Sequence, residues 1–256
     1  MATTVVFGGG PTPAEQIRAA LDGVDVGRVI CADSGLEGAL SAGIHCDLVV
    51  GDMDSVSPAA IEEARRSGSA VEHHSTDKAL TDLELALQRA VPGAGEGAAV
   101  RPGDTDVTGA DVLVIGSDGG RLDHLAASIA LVGSPLFAAA SITAVFGATT
   151  IAPVHSSRSL GLAPDATVTV LALHGAVRGL TLRGARWPLA DAELHPGSTH
   201  GVSNQVVGPT FEVSVSSGVA TVVVPPPGTA HAHPATKTVT GENLAGETVK
   251  EETDNG

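Results

Sequence analysis

Aspartate is the residue type in this 256-residue chain whose placement most suggests chemistry. Asp52-Met53-Asp54 directly follows the apolar run Leu48-Val49-Val50-Gly51. Side chains two apart in an extended segment point the same way, so both carboxylates can reach one cation. A hard divalent ion such as Mg²⁺ takes a few carboxylates and completes its shell with water and phosphate oxygens. The pair reads equally as turn residues, with Asp54 or Ser55 closing an Asx-turn. Other acids also end apolar runs: Asp33 follows Val29-Ile30-Cys31-Ala32, Asp118 and Asp123 follow 112–115, and Asp77 and Asp82 follow 71–73. So many carboxylates on one rim repel each other unless a cation sits among them. Thr81-Asp82 has a plain structural reading too, Thr81 as a helix N-cap and Asp82 complementing the helix dipole. The two readings are compatible, because a helix N-terminus also receives phosphate. In Gly119-Gly120-Arg121-Leu122-Asp123-His124, two glycines allow close backbone approach and Arg121 offers a cationic fork. The chain has no Gly-x4-Gly-Lys-Ser/Thr loop, and Gly8-Gly9-Gly10 lacks the dinucleotide spacing.

Such a rim needs strands that end together. Up to about residue 148, β-rich runs at 4–7, 28–32, 47–50, 71–73, 111–115 and 142–146 alternate with helical patterns. Thr12-Pro13-Ala14-Glu15, Ser34 with Glu37, and Thr81 with Glu84 read as capping boxes, and Ser57-Pro58 opens a helix closed by Gly68. Leu83, Ala86, Leu87, Ala90 and Val91 form an amphipathic stripe, as do Leu122, Leu125, Ala126, Ile129 and Ala130. This pattern predicts an α/β fold, a mostly parallel doubly wound sheet over 1–148 with ligands outside the strand carboxyl ends. Strand-like segments at 168–173, 177–182, 211–215 and 220–224 predict a small all-β sandwich over 149–225. The Gly/Pro/Asp-rich stretch 92–110 and the tail 226–256 read as disordered.

A net charge of −15 and a pI near 4.9 argue against nucleic acid or an anionic membrane as partner. An anionic substrate then needs metal ions and a local Lys or Arg to offset the field. Cys31 and Cys46 fit no zinc pattern and read as buried thiols of a reducing compartment. No secretory signal and no membrane-length apolar run are recognised, so a cytoplasmic location is expected. The histidines show no ligand spacing and read as surface or structural groups.

Together these segments resemble the thiamine pyrophosphokinase family. The resemblance is carried, in order, by Cys31-Ala32-Asp33-Ser34-Gly35, Gly51-Asp52-Met53-Asp54-Ser55, Thr81-Asp82-Leu83-Glu84-Leu85-Ala86-Leu87 and Gly119-Gly120-Arg121-Leu122-Asp123-His124. In the β-rich half it continues through Gly179-Leu180, Gly184-x-x-Trp187-Pro188-Leu189 and Gly201-Val202-Ser203-Asn204, covering about residues 3–224. It implies an enzyme that transfers pyrophosphate from Mg²⁺-ATP to thiamine, as a homodimer with sites between subunits. By that resemblance Asp52, Asp54 and Asp82 hold Mg²⁺ and, with Asp123, form the catalytic set. Asp33, Lys78, Thr81, Arg121 and His124 serve the nucleotide, and Trp187, Ser203 and Asn204 receive thiamine. A flat organic cation is also what a lone Trp stacks best. One departure stands out: the family pattern Lys-Asp-x-Thr-Asp is here Lys78-Ala79-Leu80-Thr81-Asp82. The alternative is therefore a non-catalytic thiamine- or nucleotide-binding relative that has lost the carboxylate at Ala79, unless Asp77 replaces it.

Overall fold

The structure, a computed structural model, describes residues 2–94 and 109–228. Most of the two stretches read as disordered, 95–108 and 229–256, lies outside the described residues. The first half runs β1 (Thr3–Phe7), α1 (Ala14–Ala20), β2 (Val26–Ala32), α2 (Gly35–Ser41), β3 (Leu48–Gly51), α3 (Pro58–Arg66), β4 (Ala70–His73), α4 (Asp82–Ala90), β5 (Asp111–Gly116), α5 (Leu122–Val132), a 3₁₀ turn (Pro135–Phe137) and β6 (Ser141–Phe146). The second half is β7 (Thr149–Val154), β8 (Ser157–Leu160), β9 (Thr167–Leu171), β10 (Val177–Arg183), β11 (Leu189–Leu194), β12 (Asn204–Gln205), β13 (Phe211–Ser214) and β14 (Ala220–Val224).

Strands β4-β3-β2-β1-β5-β6 lie side by side and parallel. The chain starts at β1, steps outward to β4, then crosses back to β5 on the other flank of β1. Because crossovers are right-handed, the two directions of travel send their helices to opposite faces. Helices α1–α3 pack with Phe7, Val29, Cys31 and Val49, whereas α4 and α5 lie with Val6, Ile30, Val50 and Val114. The reversal opens a crevice at the carboxyl ends of β1 and β5, with the ends of β2 and β3 beside it. The doubly wound sheet expected from the sequence is what forms.

Capping chemistry was read correctly at two of four helices. Ser57 Oγ accepts the Ala60 N–H at 3.4 Å and Thr81 Oγ1 accepts the Glu84 N–H at 3.2 Å. The other two boxes do not form. Pro13 occupies the α1 N-cap, with no side-chain cap. Ser34 is already helical in φ and ψ, so its hydroxyl turns to the Gly10 N–H, while Glu37 accepts the Ser57 N–H.

After β6 the chain reverses at Gly147 (φ 61°) into antiparallel β7, and β14, β9 and β12 extend the same sheet to ten strands. A second sheet, β11-β10-β13-β8, closes over this extension. Val154, Val168, Val170 and Val222 meet Leu180, Leu182, Phe211 and Val213 in the sandwich core.

Pro153 shows how a sheet accommodates a missing donor. Pairing of β6 with β7 stops at Ala144–Ile151, and continuing that register sets Pro153 opposite Ile142. Proline has no N–H to offer. Arg158 supplies the donor instead, Nη1 to the Ile142 carbonyl at 2.5 Å and Nη2 to Thr143 Oγ1. Arg158→Met should therefore cost about 1–3 kcal/mol by leaving that carbonyl unpaired, read as a lower midpoint in urea unfolding.

Candidate functional site

Three carboxylates meet at the crevice. One oxygen each from Asp33, Asp52 and Asp82 lies within 4.8 Å of the others. Asp33 follows β2, Asp52 follows β3, and Asp82 is the first residue of α4. Gly51 makes this meeting possible. Its φ is 155°, and a Cβ there would stand 3.1 Å from both Asp82 Oδ1 and the Asp33 Cβ. Any side chain at 51 would wedge the acids apart.

Lys78 Nζ reaches into the same group, 2.6 Å from Asp52 Oδ2 and 2.9 Å from Asp82 Oδ1. The contact with Asp52 has hydrogen-bond geometry, and that with Asp82 is an ion pair off the bonding direction. Hydrogen bonding from Lys78 holds the Asp52 carboxyl below its ordinary pKa despite some burial. Burial pulls the Lys78 ammonium down, but its hydrogen bond to Asp52 and the pull of the Asp52 and Asp82 charges outweigh that and raise it. Asp33 is different. It is 6% exposed, and its Oδ1 is buried with no hydrogen-bond partner. Burial pushes its carboxyl up against the Ser34 N–H, and the charges of Asp82, Asp52 and Asp54 add to the rise. A buried, partnerless carboxylate oxygen facing two more carboxylates is the environment a hard cation resolves. Three oxygen donors fit Mg²⁺ or Mn²⁺ and not a soft metal.

Asp54 does not join this group. Met53 sits at φ 61°, so the segment after β3 is not extended and the two-residue alternation that would align Asp52 with Asp54 is broken. The Asp54 carboxylate accepts the Ser55 hydroxyl at 2.7 Å, and its N–H turns back to Asp52. Asp33, at φ 45°, supplies the third carboxylate instead. Asp77 is exposed, its N–H held by Ser75 Oγ, so it does not stand in for the carboxylate missing at Ala79. Asp118 folds against the Gly147 turn.

Around the triad, Thr81 serves as the α4 cap. Arg121 forks onto Asp123 at the exposed start of α5, and that hydrogen-bonded pair lowers the Asp123 pKa to about 2. His124 is exposed beside them. On the α2 side a cleft of about 580 Å³ opens between the Gly10–Pro13 loop, Ser34, Glu37 and Ser55. Sequence reading missed Ser34 and Gly51 as site-shaping residues, although both stand inside motifs it quoted.

Trp187, Ser203 and Asn204 form a second constellation, between β10 and β12. Asn204 is 5% exposed. Its Oδ1 accepts the Trp187 N–H at 3.1 Å and its Nδ2 donates to the Trp187 carbonyl at 2.7 Å. Ser203, at φ 57°, donates its N–H to Thr169 Oγ1. The Arg186 guanidinium stands 5.3 Å from the Trp187 ring centroid, so the ring already faces one delocalised cation.

A doubly wound sheet with acids at its carboxyl rim, continued into a sandwich that presents a clamped Trp, defines a two-part α/β and β architecture. The thiamin pyrophosphokinase catalytic-domain model matches residues 25–144, and the vitamin B1 binding-domain model of the same family matches 154–220. The chain belongs to the thiamin pyrophosphokinase family. Its fold is shared with the crystal structure of thiamine pyrophosphokinase from Bacillus subtilis (21% identity, TM-score 0.68, covering 88% of this chain and 99% of that one). A thiamin pyrophosphokinase family protein from Enterococcus faecalis superposes similarly (24%, 0.66, 88% and 99%), as does the thiamin pyrophosphokinase from Candida albicans (16%, 0.67, 87% and 88%). No curated protein matches the chain. Among the described residues no helix is long and apolar enough to cross a membrane.

Proposed function

We propose that the chain transfers a pyrophosphoryl group from Mg²⁺-ATP to the hydroxyl of thiamine, giving thiamine diphosphate and AMP. The observation that carries this reading is the meeting of Asp33, Asp52 and Asp82 within 4.8 Å, in a chain that matches both domains of the family. The thiamine oxygen forms a bond to the β-phosphorus as its hydroxyl proton passes to a nearby carboxylate or to water, and the bond from that phosphorus to the bridging oxygen breaks, the oxygen leaving with AMP. In such transfers the protein chiefly positions reactants and balances spread charge. Asp33, Asp52 and Asp82 are the residues that would hold Mg²⁺. When bound, the ion supplies positive charge to the phosphate oxygens. Lys78 adds a cation at the same rim, and Arg121 adds another once it exchanges Asp123 for a phosphate. Trp187, clamped by Asn204, offers a rigid face to the flat cationic rings of thiamine.

The reading includes a homodimer with shared sites. In one chain β12, which anchors Trp187, lies seven strand steps from β2, which Asp33 follows; at ~4.8 Å a step that is about 34 Å along the sheet. A single thiamine is too short to span it, which supports a site where the Trp187 of one subunit serves the acids of another. At the start of α5, Leu122 at 78% exposure, with exposed Ala126 and Ala130 on the same helix, supports such a partner surface. Two buried free thiols, Cys31 and Cys46, support a cytoplasmic location.

Incubation with thiamine, ATP and Mg²⁺, followed as AMP and thiamine diphosphate, tests the reaction. Calorimetric thiamine binding without AMP would favour the non-catalytic relative instead. Sharing of sites is tested by co-expressing Asp52→Ala and Trp187→Ala chains, each inactive alone. Mixed dimers keep one intact site in two, so random pairing should restore about a quarter of wild-type activity. No recovery would mean that each chain builds its own site.

A further inference from the structure

Resting on the metal reading above, we infer that Lys78 is a built-in competitor for the divalent ion: its ammonium bridges Asp52 and Asp82 and must leave when the ion binds. Nζ lies 2.6 Å from Asp52 Oδ2 and 2.9 Å from Asp82 Oδ1, on two of the three carboxylates that converge in the triad. A divalent ion at about 2.1 Å from those oxygens would sit almost in contact with the ammonium. Positive charges that close in a half-buried site repel strongly.

The residue type suits an exchange. Only three of the 14 cationic side chains are lysine, at 78, 237 and 250, and the rest are arginine. Arginine would bind a carboxylate as a planar bidentate fork, whereas a lysine ammonium is compact, on a stem that swings away by bond rotation. Lys78 is also the only lysine among the described residues. The neighbouring Ala79 gives the ammonium no alternative carboxylate, and Asp77 is exposed, with its backbone N–H bonded to Ser75 Oγ. Asp33 keeps its oxygen partnerless beside the pair, so Lys78 touches two of the three carboxylates, offsets a single charge and leaves the site short of neutral. That residual charge is what draws a doubly charged ion in against a resident single one.

Two readouts that do not involve turnover test the exchange. The first is acetylation of Lys78 by an amine-reactive ester, quantified by mass spectrometry and normalised to Lys237 and Lys250. In the wild-type protein saturating Mg²⁺ without nucleotide should speed labelling of Lys78 about tenfold, since a freed amine reacts where an ion-paired one does not. The second is Mn²⁺ binding, followed by loss of the free-ion electron paramagnetic resonance signal. Lys78→Met should bind Mn²⁺ about tenfold tighter than wild type, the competitor having gone. Mn²⁺ bound through Asp52 with Lys78 labelling unchanged or slowed would overturn the exchange alone, the ion using the outer carboxylate oxygens with the ammonium in place. Mn²⁺ affinity that is equal in wild type and Asp52→Asn would remove the metal site and the exchange with it.

Discussion

Asp52→Ala should lower kcat for pyrophosphoryl transfer on the order of a thousandfold or more, with little change in melting temperature. Asp52 is the acid that both Lys78 and the triad share, at 2.6 Å from the ammonium. Its loss leaves Asp33 and Asp82 too few for a tight ion site. The fold should survive because removing one of three mutually repelling carboxylates relieves strain as well as losing a bond. Asp54→Ala is the informative control. Asp54 bonds Ser55 and stands outside the triad, so its truncation should cost far less. Steady-state kinetics of both variants, beside a thermal melt of each, separates the roles. Near-normal turnover in Asp52→Ala would remove the metal assignment.

Asn204→Ala should raise the KM for thiamine at least about tenfold, and cost about 2–4 kcal/mol of stability. Asn204 satisfies the N–H and the carbonyl of Trp187 and also accepts the Gln205 N–H at 2.8 Å. Alanine leaves these groups unpaired in a position that is 5% exposed. The Trp187 loop would then lose the fixed geometry on which stacking depends. The KM for ATP should hardly move, because Asp33, Lys78 and Thr81, proposed to serve the nucleotide, lie on the far flank of the sheet from β12. A rise in both KM values together would mean general loosening in place of a thiamine-side defect.

Much of the fold was legible because its signals are local. Apolar runs such as Val29-Ile30-Cys31-Ala32 and true caps such as Ser57 and Thr81 announce themselves within a few residues. Four strands escaped notice for physical reasons. β7 contains Pro153, tolerated only because Arg158 replaces its missing donor. β8 is a polar edge strand, Ser-Arg-Ser-Leu, β11 reads Leu-Ala-Asp-Ala-Glu-Leu with little β-branching, and β12 is two residues long. The acidic rim was visible as a set, but its membership was not. Which aspartates converge depends on two non-glycine residues in left-handed conformation, Asp33 and Met53, and no spacing rule signals those. Lys78 was recognisable as a cation near phosphate, yet its lodging between Asp52 and Asp82 is a tertiary fact.

The unbroken run of ten strands through residue 148 bears on how this chain can be dissected. A fragment ending there would strip β7 from β6 and bare a row of unpaired amides and carbonyls, a template for self-association. Chimeras that trade thiamine-side modules between relatives would meet the same problem if joined at that seam. Recombination should be better tolerated where a cut spares the ladder, so exchanges that keep β6 and β7 together are the ones expected to fold.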